Sequence, residues 1–264
     1  MPQTTPPPRT PPTPPPSQHL PQPPPRGRPS ARVDDPAALR LRLCASPLLS
    51  GLPPEVADDF LASARLRGFG AGDRLYTEGE PGDCVYLLVS GKVKMTHRGP
   101  GGSEIPHAMA GPGELIGELT VLTGGGRKAT ATAVCATVAA SPEPGGLEGW
   151  LERHPCAAFR MMELLIGRVR RMNALMDVQL GADVPTRVAR SLAEQAARFG
   201  RPTPEGLRFR LDLRQEELAR HVCASRERVN QVLVDLSRRG WIRRDGPDLV
   251  VLDPEALNRR GRVR

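Results

Sequence analysis

Residues 212–252 read DLRQEELARHVCASRERVNQVLVDLSRRGWIRRDGPDLVVL, and the fold follows from this stretch. Apolar residues recur at helical spacing in two blocks: Leu218, Ala219 and Val222, then Val229, Val232, Leu233 and Leu236. Between them Cys223-Ala224-Ser225 leaves room only for a tight turn, which is the pattern of a helix-turn-helix. Ser225 suits the N-cap of the second helix, where its hydroxyl can accept from an unpaired backbone N–H. Arg226, Glu227 and Gln231 lie off the apolar stripe. Their side chains match the donors and acceptors of base edges in a major groove: a fork for guanine, an acceptor for the cytosine amino group, an amide for adenine. After Gly240, two runs (Trp241 to Arg243, Leu249 to Leu252) flank the turn signal Asp245-Gly246, so a basic hairpin follows the two helices. That combination predicts a winged helix. A plain helical bundle with a solvated charged face is the rival, and the turn, cap and wing together disfavour it.

Composition agrees. The 264 residues suffice for two domains, and a net charge of +8 carried mainly by arginine favours a polyanionic partner. Only 3% of residues are aromatic, which argues against base-stacking platforms for single strands. Five scattered cysteines show no C-x-x-C spacing, so no metal site is expected and the thiols suit a reducing cytoplasm. No apolar run is long enough for a bilayer. Neither G-x-S-x-G nor H-E-x-x-H occurs, and the five histidines lie apart, so no catalytic residue is expected.

Upstream, residues 1–33 are proline-rich and predict a disordered tail. Asp34-Asp35-Pro36 opens a helix, and a second follows Pro53-Pro54. From Arg65 to about Ala140, short alternating runs such as Cys84–Val89 and Lys92–Met95 are punctuated by glycine-rich turns, predicting an antiparallel barrel or sandwich. Within it, the stretch from Gly117 to Thr130 combines glycines, a short helix opening at Glu118, and Arg127. Such a loop can bring backbone N–H groups and a forked cation to a phosphate, although ordinary surface turns share the composition. A long helix is predicted from about Cys156 to Gly181. Met162, Leu165, Val169, Met172 and Met176 form a narrow apolar seam on it, as in a parallel coiled-coil dimer; packing on the chain's own barrel competes over the first two turns. Asp183-Val184-Pro185 ends this helix and forms a hinge. A further helix to Phe199, a loop from Gly200 to Gly206, and a strand through Leu207, Phe209 and Leu211 lead back to the opening stretch.

In this order the parts resemble the Crp/Fnr family of bacterial regulators, from Asp34 to Arg264. Three motifs carry the resemblance: Ala224-Ser225-Arg226-Glu227-x-Val229; Ile116-Gly117-Glu118-Leu119 with Arg127 nine residues after the glutamate; and Asp183-Val184-Pro185-x-Arg187-Val188-Ala189. The resemblance implies an α+β chain with a Pro-rich tail (1–33), an N-terminal antiparallel β-roll of the cyclic-nucleotide-binding type (34–155), a dimerisation helix and hinge (156–183), and a C-terminal winged helix-turn-helix (184–264). It makes Arg226 and Glu227 the readers of a half-site on double-stranded DNA, with Gln231 as a third contact. Ser225, Arg228, Arg238, Arg239, Arg243 and Arg244 complete the expected DNA contacts. It places a cyclic nucleotide, cAMP or cGMP, among Gly117, Glu118, Leu119, Arg127, Lys128 and Ala129, with Met172 and the partner's Asn173 near the base. A cytoplasmic homodimer acting with RNA polymerase is implied.

Departures from the family pattern leave a second reading open. Lys128 stands where the family has Ser or Thr, and Met172 offers no hydrogen bond to a base, which relaxes discrimination. A vestigial pocket in a ligand-independent regulator is therefore the alternative. Two further departures touch the helix-turn-helix. Cys223 replaces a turn glycine, and Arg214 replaces a Ser or Thr cap, each at a cost of about 1 kcal/mol.

Overall fold

The computed structural model describes residues 36–262. The predicted tail, Asp34 and Asp35 lie outside the described residues. The chain opens with α1 (Pro36–Cys44) and α2 (Pro54–Ser63), the latter started by prolines whose missing N–H is unneeded in a first helical turn. Eight strands follow: β1 (Ala64–Phe69), β2 (Arg74–Tyr76), β3 (Tyr86–Ser90), β4 (Val93–Arg98), β5 (Glu104–Ala110), β6 (Leu115–Ile116), β7 (Thr130–Ala133) and β8 (Thr137–Pro142). They form two antiparallel sheets, ordered β1-β8-β3-β6 and β2-β7-β4-β5. A short helix, α3 (Glu118–Thr123), sits between β6 and β7.

Strand β3 shows why the roll is stable. Its side chains alternate between two apolar layers, so it is buried on both faces. Tyr86 and Leu88 join Leu75, Val93, Ile116 and Ala131 between the sheets. Leu87 and Val89 face outward onto Phe60, Leu147 and Trp150, where α2 and α4 (Gly146–Arg153) cover the first sheet. The Trp150 indole N–H donates to the Val56 carbonyl at 2.9 Å, so this large side chain is buried without an unpaired polar atom.

Helix α5 (Pro155–Gly181) runs 27 residues. Ala157 and Met161 bury against the roll, and Leu164 and Leu165 pack partly on it. Leu165 thereby leaves the predicted seam, because it points to the chain's own core. The exposed apolar line instead runs Phe159, Met162, Ile166, Val169, Met172, Met176, Leu180.

Asp183 then caps α6 (Val184–Phe199), accepting from the Thr186 N–H at 2.9 Å. Arg260 of α9 (Pro254–Arg260) also grips Asp183 at 2.7 Å. The loop expected over Gly200–Gly206 is a hairpin: β9 (Arg201–Thr203) pairs with β10 (Gly206–Arg210), and Leu211 falls beyond the strand. Helices α7 (Gln215–His221) and α8 (Arg226–Arg238) precede the wing, β11 (Ile242–Asp245) and β12 (Asp248–Val251). The wing turns on Gly246-Pro247, one residue later than expected. Asp245 pairs with Asp248, and Gly246 takes the positive φ of 59° that the turn requires. Val188, Leu192, Leu218, Val229, Leu233, Leu236, Ile242 and Leu257 form one core under this sheet of order β11-β12-β10-β9.

Candidate functional site: a read-out helix and a phosphate cassette

The turn between α7 and α8 rests on Cys223, the one non-glycine residue at positive φ (51°) among the described residues. Its side chain is exposed, so the strain is confined to the backbone. Ser225 caps α8 as expected, accepting from the Arg228 N–H at 3.2 Å. Arg214 has no acceptor to cap α7. Glu217 supplies the reciprocal half of a capping box instead, accepting from the Arg214 N–H at 2.8 Å.

Val229, Val232, Leu233 and Leu236 hold α8 on the core. The other side of the helix is solvent-facing, with Arg226, Glu227, Arg228, Gln231 and Arg238 all exposed. Arg226 touches Glu216 only loosely, at 3.4 Å, and Arg228 donates to Gln231 at 3.1 Å. Its own backbone N–H and the Ser225 hydroxyl hold the Glu227 carboxyl below the usual carboxylate range, so it remains a charged acceptor. Past the helix, Arg239 pairs with Asp235 at 2.8 Å and lies over the Trp241 ring. On the wing, Arg243 grips Glu205 through a fork, and Arg244 lies 3.2 Å from the Gln215 amide. Arg239 and Arg243 must therefore exchange an internal partner before meeting a phosphate, whereas the α8 face is open.

The cassette is arranged in the opposite way. Gly117, at φ 88°, turns the chain from β6 into α3. Arg127 is 4% exposed. Its Nη1 donates to the Gly117 carbonyl at 2.9 Å and its Nη2 to the Cys84 carbonyl at 2.8 Å. The guanidinium lies 4.5 Å from the Tyr76 ring centre, and its Nε–H is buried without a partner. Gly82 is needed here, since a Cβ at that position would come within 2.4 Å of Arg127 Nε. Glu118 is buried and paired with Arg168 of α5, which also donates to the Leu115 carbonyl. Burial raises the Glu118 carboxyl, and Arg168 opposes that shift.

Of the residues expected around a phosphate, Gly117, Glu118 and Arg127 come together and Ala129 is buried beside them in sequence. Leu119 and Lys128 are exposed, as are Met172 and Asn173 on α5. Sequence reading missed Arg168, Tyr76, Gly82 and Cys84. Arg168 had a usable signal, because it lies one helical turn before Met172 and shares its side of the helix.

Known proteins carry the same parts. The cyclic nucleotide-binding domain family matches residues 66–154, and the Crp-like helix-turn-helix domain family matches residues 186–260. A CRP-like cAMP-activated global transcriptional regulator of Mycobacterium tuberculosis is 36% identical over 220 residues, covering 83% of this chain and 98% of the relative. The cyclic AMP receptor protein of Thermus thermophilus is 33% identical over 212 residues, covering 80% and 94%. Among solved structures, a CRP-family transcriptional regulator from Thermus thermophilus superposes with a TM-score of 0.62 at 28% identity, covering 74% of this chain and 96% of that one. FixK2 from Bradyrhizobium japonicum shares the fold, with a TM-score of 0.67 at 20% identity over 76% and 98%. With both domain families matched in order and full-length relatives above 30% identity, the chain belongs to the Crp/Fnr family of DNA-binding transcription regulators.

Proposed function

We propose that the protein is a cytoplasmic homodimeric, sequence-specific regulator whose two α8 helices enter successive major grooves of a pseudo-palindromic site, with its output passed to RNA polymerase. It has no catalytic role in this reading. The observation that carries it is the exposed trio Arg226, Glu227 and Gln231 on a capped, core-anchored helix. Ser225, Arg228, Arg238, Arg239, Arg243 and Arg244 add phosphate contacts around that trio.

Dimerisation rests on α5. Its seven exposed apolar side chains from Phe159 to Leu180 are 47–85% exposed in the single chain, spaced three and four residues apart. A second copy of the same helix covers such a line. Two measurements test the reading: sedimentation of the purified protein, and unbiased selection of duplexes from a random library. A stable monomer, or selection that enriches no sequence, refutes it.

A cyclic nucleotide fits the cassette chemically. The forked cation of Arg127 suits a cyclic phosphate, aided by the backbone around Gly117, Leu119 and Ala129 and by the nearby Lys128 ammonium. The Glu118 carboxylate suits sugar hydroxyls, and Met172 with the partner's Asn173 would lie by the base. When bound, such a ligand supplies a negative charge and hydroxyl donors, and this chain's Arg127 and Glu118 hold them. A relative's name includes activation by cAMP, in line with this assignment.

One observation favours the alternative of a ligand-independent regulator. Arg127 and Glu118 already have partners within the chain, in Gly117, Cys84 and Arg168. Titration calorimetry with cAMP and with cGMP separates the two. Saturable binding that Arg127→Ala abolishes rules out the ligand-independent reading.

A further inference from the structure

Away from the two sites, the roll and the winged helix meet in a charged contact of their own. Lys92 stands in the turn before β4 and pairs with Asp212 at 2.8 Å, with side chains only 17% and 6% exposed. Lys94, on β4, pairs with Glu217 of α7, both again largely buried. Around these pairs the hairpin β4–β5 and helix α7 exchange further bonds. Arg220 donates to the Glu104 carbonyl at 2.9 Å, and the His221 ring lies 3.4 Å from the Pro106 carbonyl. Arg198 of α6 donates to the Met109 carbonyl at 2.6 Å and pairs with Glu114 at 2.7 Å. Met109 belongs to β5 yet is buried in the core of the winged helix. Phe199 lies under the Lys92 ammonium, 4.6 Å from it, and so close to Gly111 that a Cβ there would collide with its ring.

We propose that Lys92 and Lys94 form an ionic latch that clamps Asp212, just ahead of α7, and Glu217 on α7 to the start of the β4–β5 hairpin and holds α8 with its reading face outward. Largely buried ion pairs have a defined geometry and resist screening, so they fix an orientation where exposed pairs do not. With α7 clamped, the turn at Cys223 carries α8, whose Arg226, Glu227 and Gln231 face solvent.

The affinity arm of the test rests on the DNA-binding reading; the exchange arm does not. Amide hydrogen exchange is followed on the full-length protein and on the Lys92→Gln/Lys94→Gln variant. Exchange across α7 and β5 is expected to rise about tenfold together, with the α8–α9 core unchanged. Unchanged exchange in both elements overturns the latch. Affinity is then measured for a duplex selected by the wild-type protein. Asp212 also pairs with Arg210 at 3.3 Å, so charge is tested at Lys92 alone: Lys92→Asp is expected to weaken affinity about tenfold and Lys92→Arg to keep most of it. A Lys92→Asp variant that binds like the wild type, or a Lys92→Arg variant as weak as Lys92→Asp, overturns the ionic origin of the clamp. If the wild-type protein selects no duplex, the function reading fails, and the exchange result still decides the latch.

Discussion

The read-out helix and the phosphate cassette are built on opposite plans. On α8 the side chains that would touch a ligand are exposed and loosely held, with Arg226 no nearer than 3.4 Å to an acceptor. In the cassette they are buried and bonded inside the chain, Arg127 to two carbonyls and Glu118 to Arg168. A helix projecting into water can keep its charges unpaired because water solvates them. A charge inside the roll has no such recourse and must find a protein partner. The α8 face is thus open as folded, whereas Arg239 and Arg243 beyond it and Arg127 and Glu118 in the cassette already hold partners inside the chain.

The largest effect that sharpens this contrast is expected from Arg168→Ala. It strands the buried Glu118 carboxylate, and breaking a buried pair on one side costs roughly 3 kcal/mol, at the low end because Arg168 itself is partly exposed. Chemical denaturation measures it. A loss within 0.5 kcal/mol, a value on the order of surface substitutions, means the cassette is no more committed internally than α8 is.

Arg226→Ala comes next. Loss of a forked base contact costs about 1–3 kcal/mol on the selected duplex and far less on random DNA. Equal losses on both would demote Arg226 to a phosphate contact.

A smaller gain is expected from Cys223→Gly. Removing a Cβ from positive φ should stabilise the fold by roughly 0.5–1 kcal/mol, read from thermal melts. A destabilised variant would show that the turn carries no strain.

The smallest effect concerns pH. Burial works against the Glu217 carboxylate, but the bonds from Lys94 and from the Arg214 N–H prevail and hold its pKa below the ordinary value. Its contribution to stability is therefore fully present above the unfolded value of about 4.3 and is lost as pH falls through the lower folded value. Melting curves between neutral and acid pH should lose part of their slope in Glu217→Gln, which keeps the cap. An identical slope in the variant rules out Glu217 as a contributor.

How legible each region was follows from how local its physics is. The helix-turn-helix was read nearly residue by residue, since apolar spacing, the Ser225 cap and the three-residue turn all act within a few positions. The strain at Cys223 was expected only because the family resemblance places a turn glycine there, and its φ of 51° agrees. Of the hairpin over residues 201–210, the second strand was read from Leu207 and Phe209 and the first was missed. The first strand is three residues long and begins Arg201-Pro202, with no alternation to recognise. Leu165 was assigned to the wrong surface because spacing along one helix cannot show which of two apolar faces meets the chain's own core.

By itself, the sequence determined the order of parts, and its resemblance to a known family singled out α8 as the candidate DNA-contacting helix and Arg127 as the candidate phosphate ligand. The order of parts depends on periodicity, capping and turn residues, all written in neighbouring positions. Only the tertiary structure decided that Glu118 is held by Arg168, fifty residues away, and that Lys92 and Lys94 clamp residues about 120 positions downstream. A buried charge takes whichever opposite charge the folded chain brings beside it, and that neighbour is set by how sheets and helices pack.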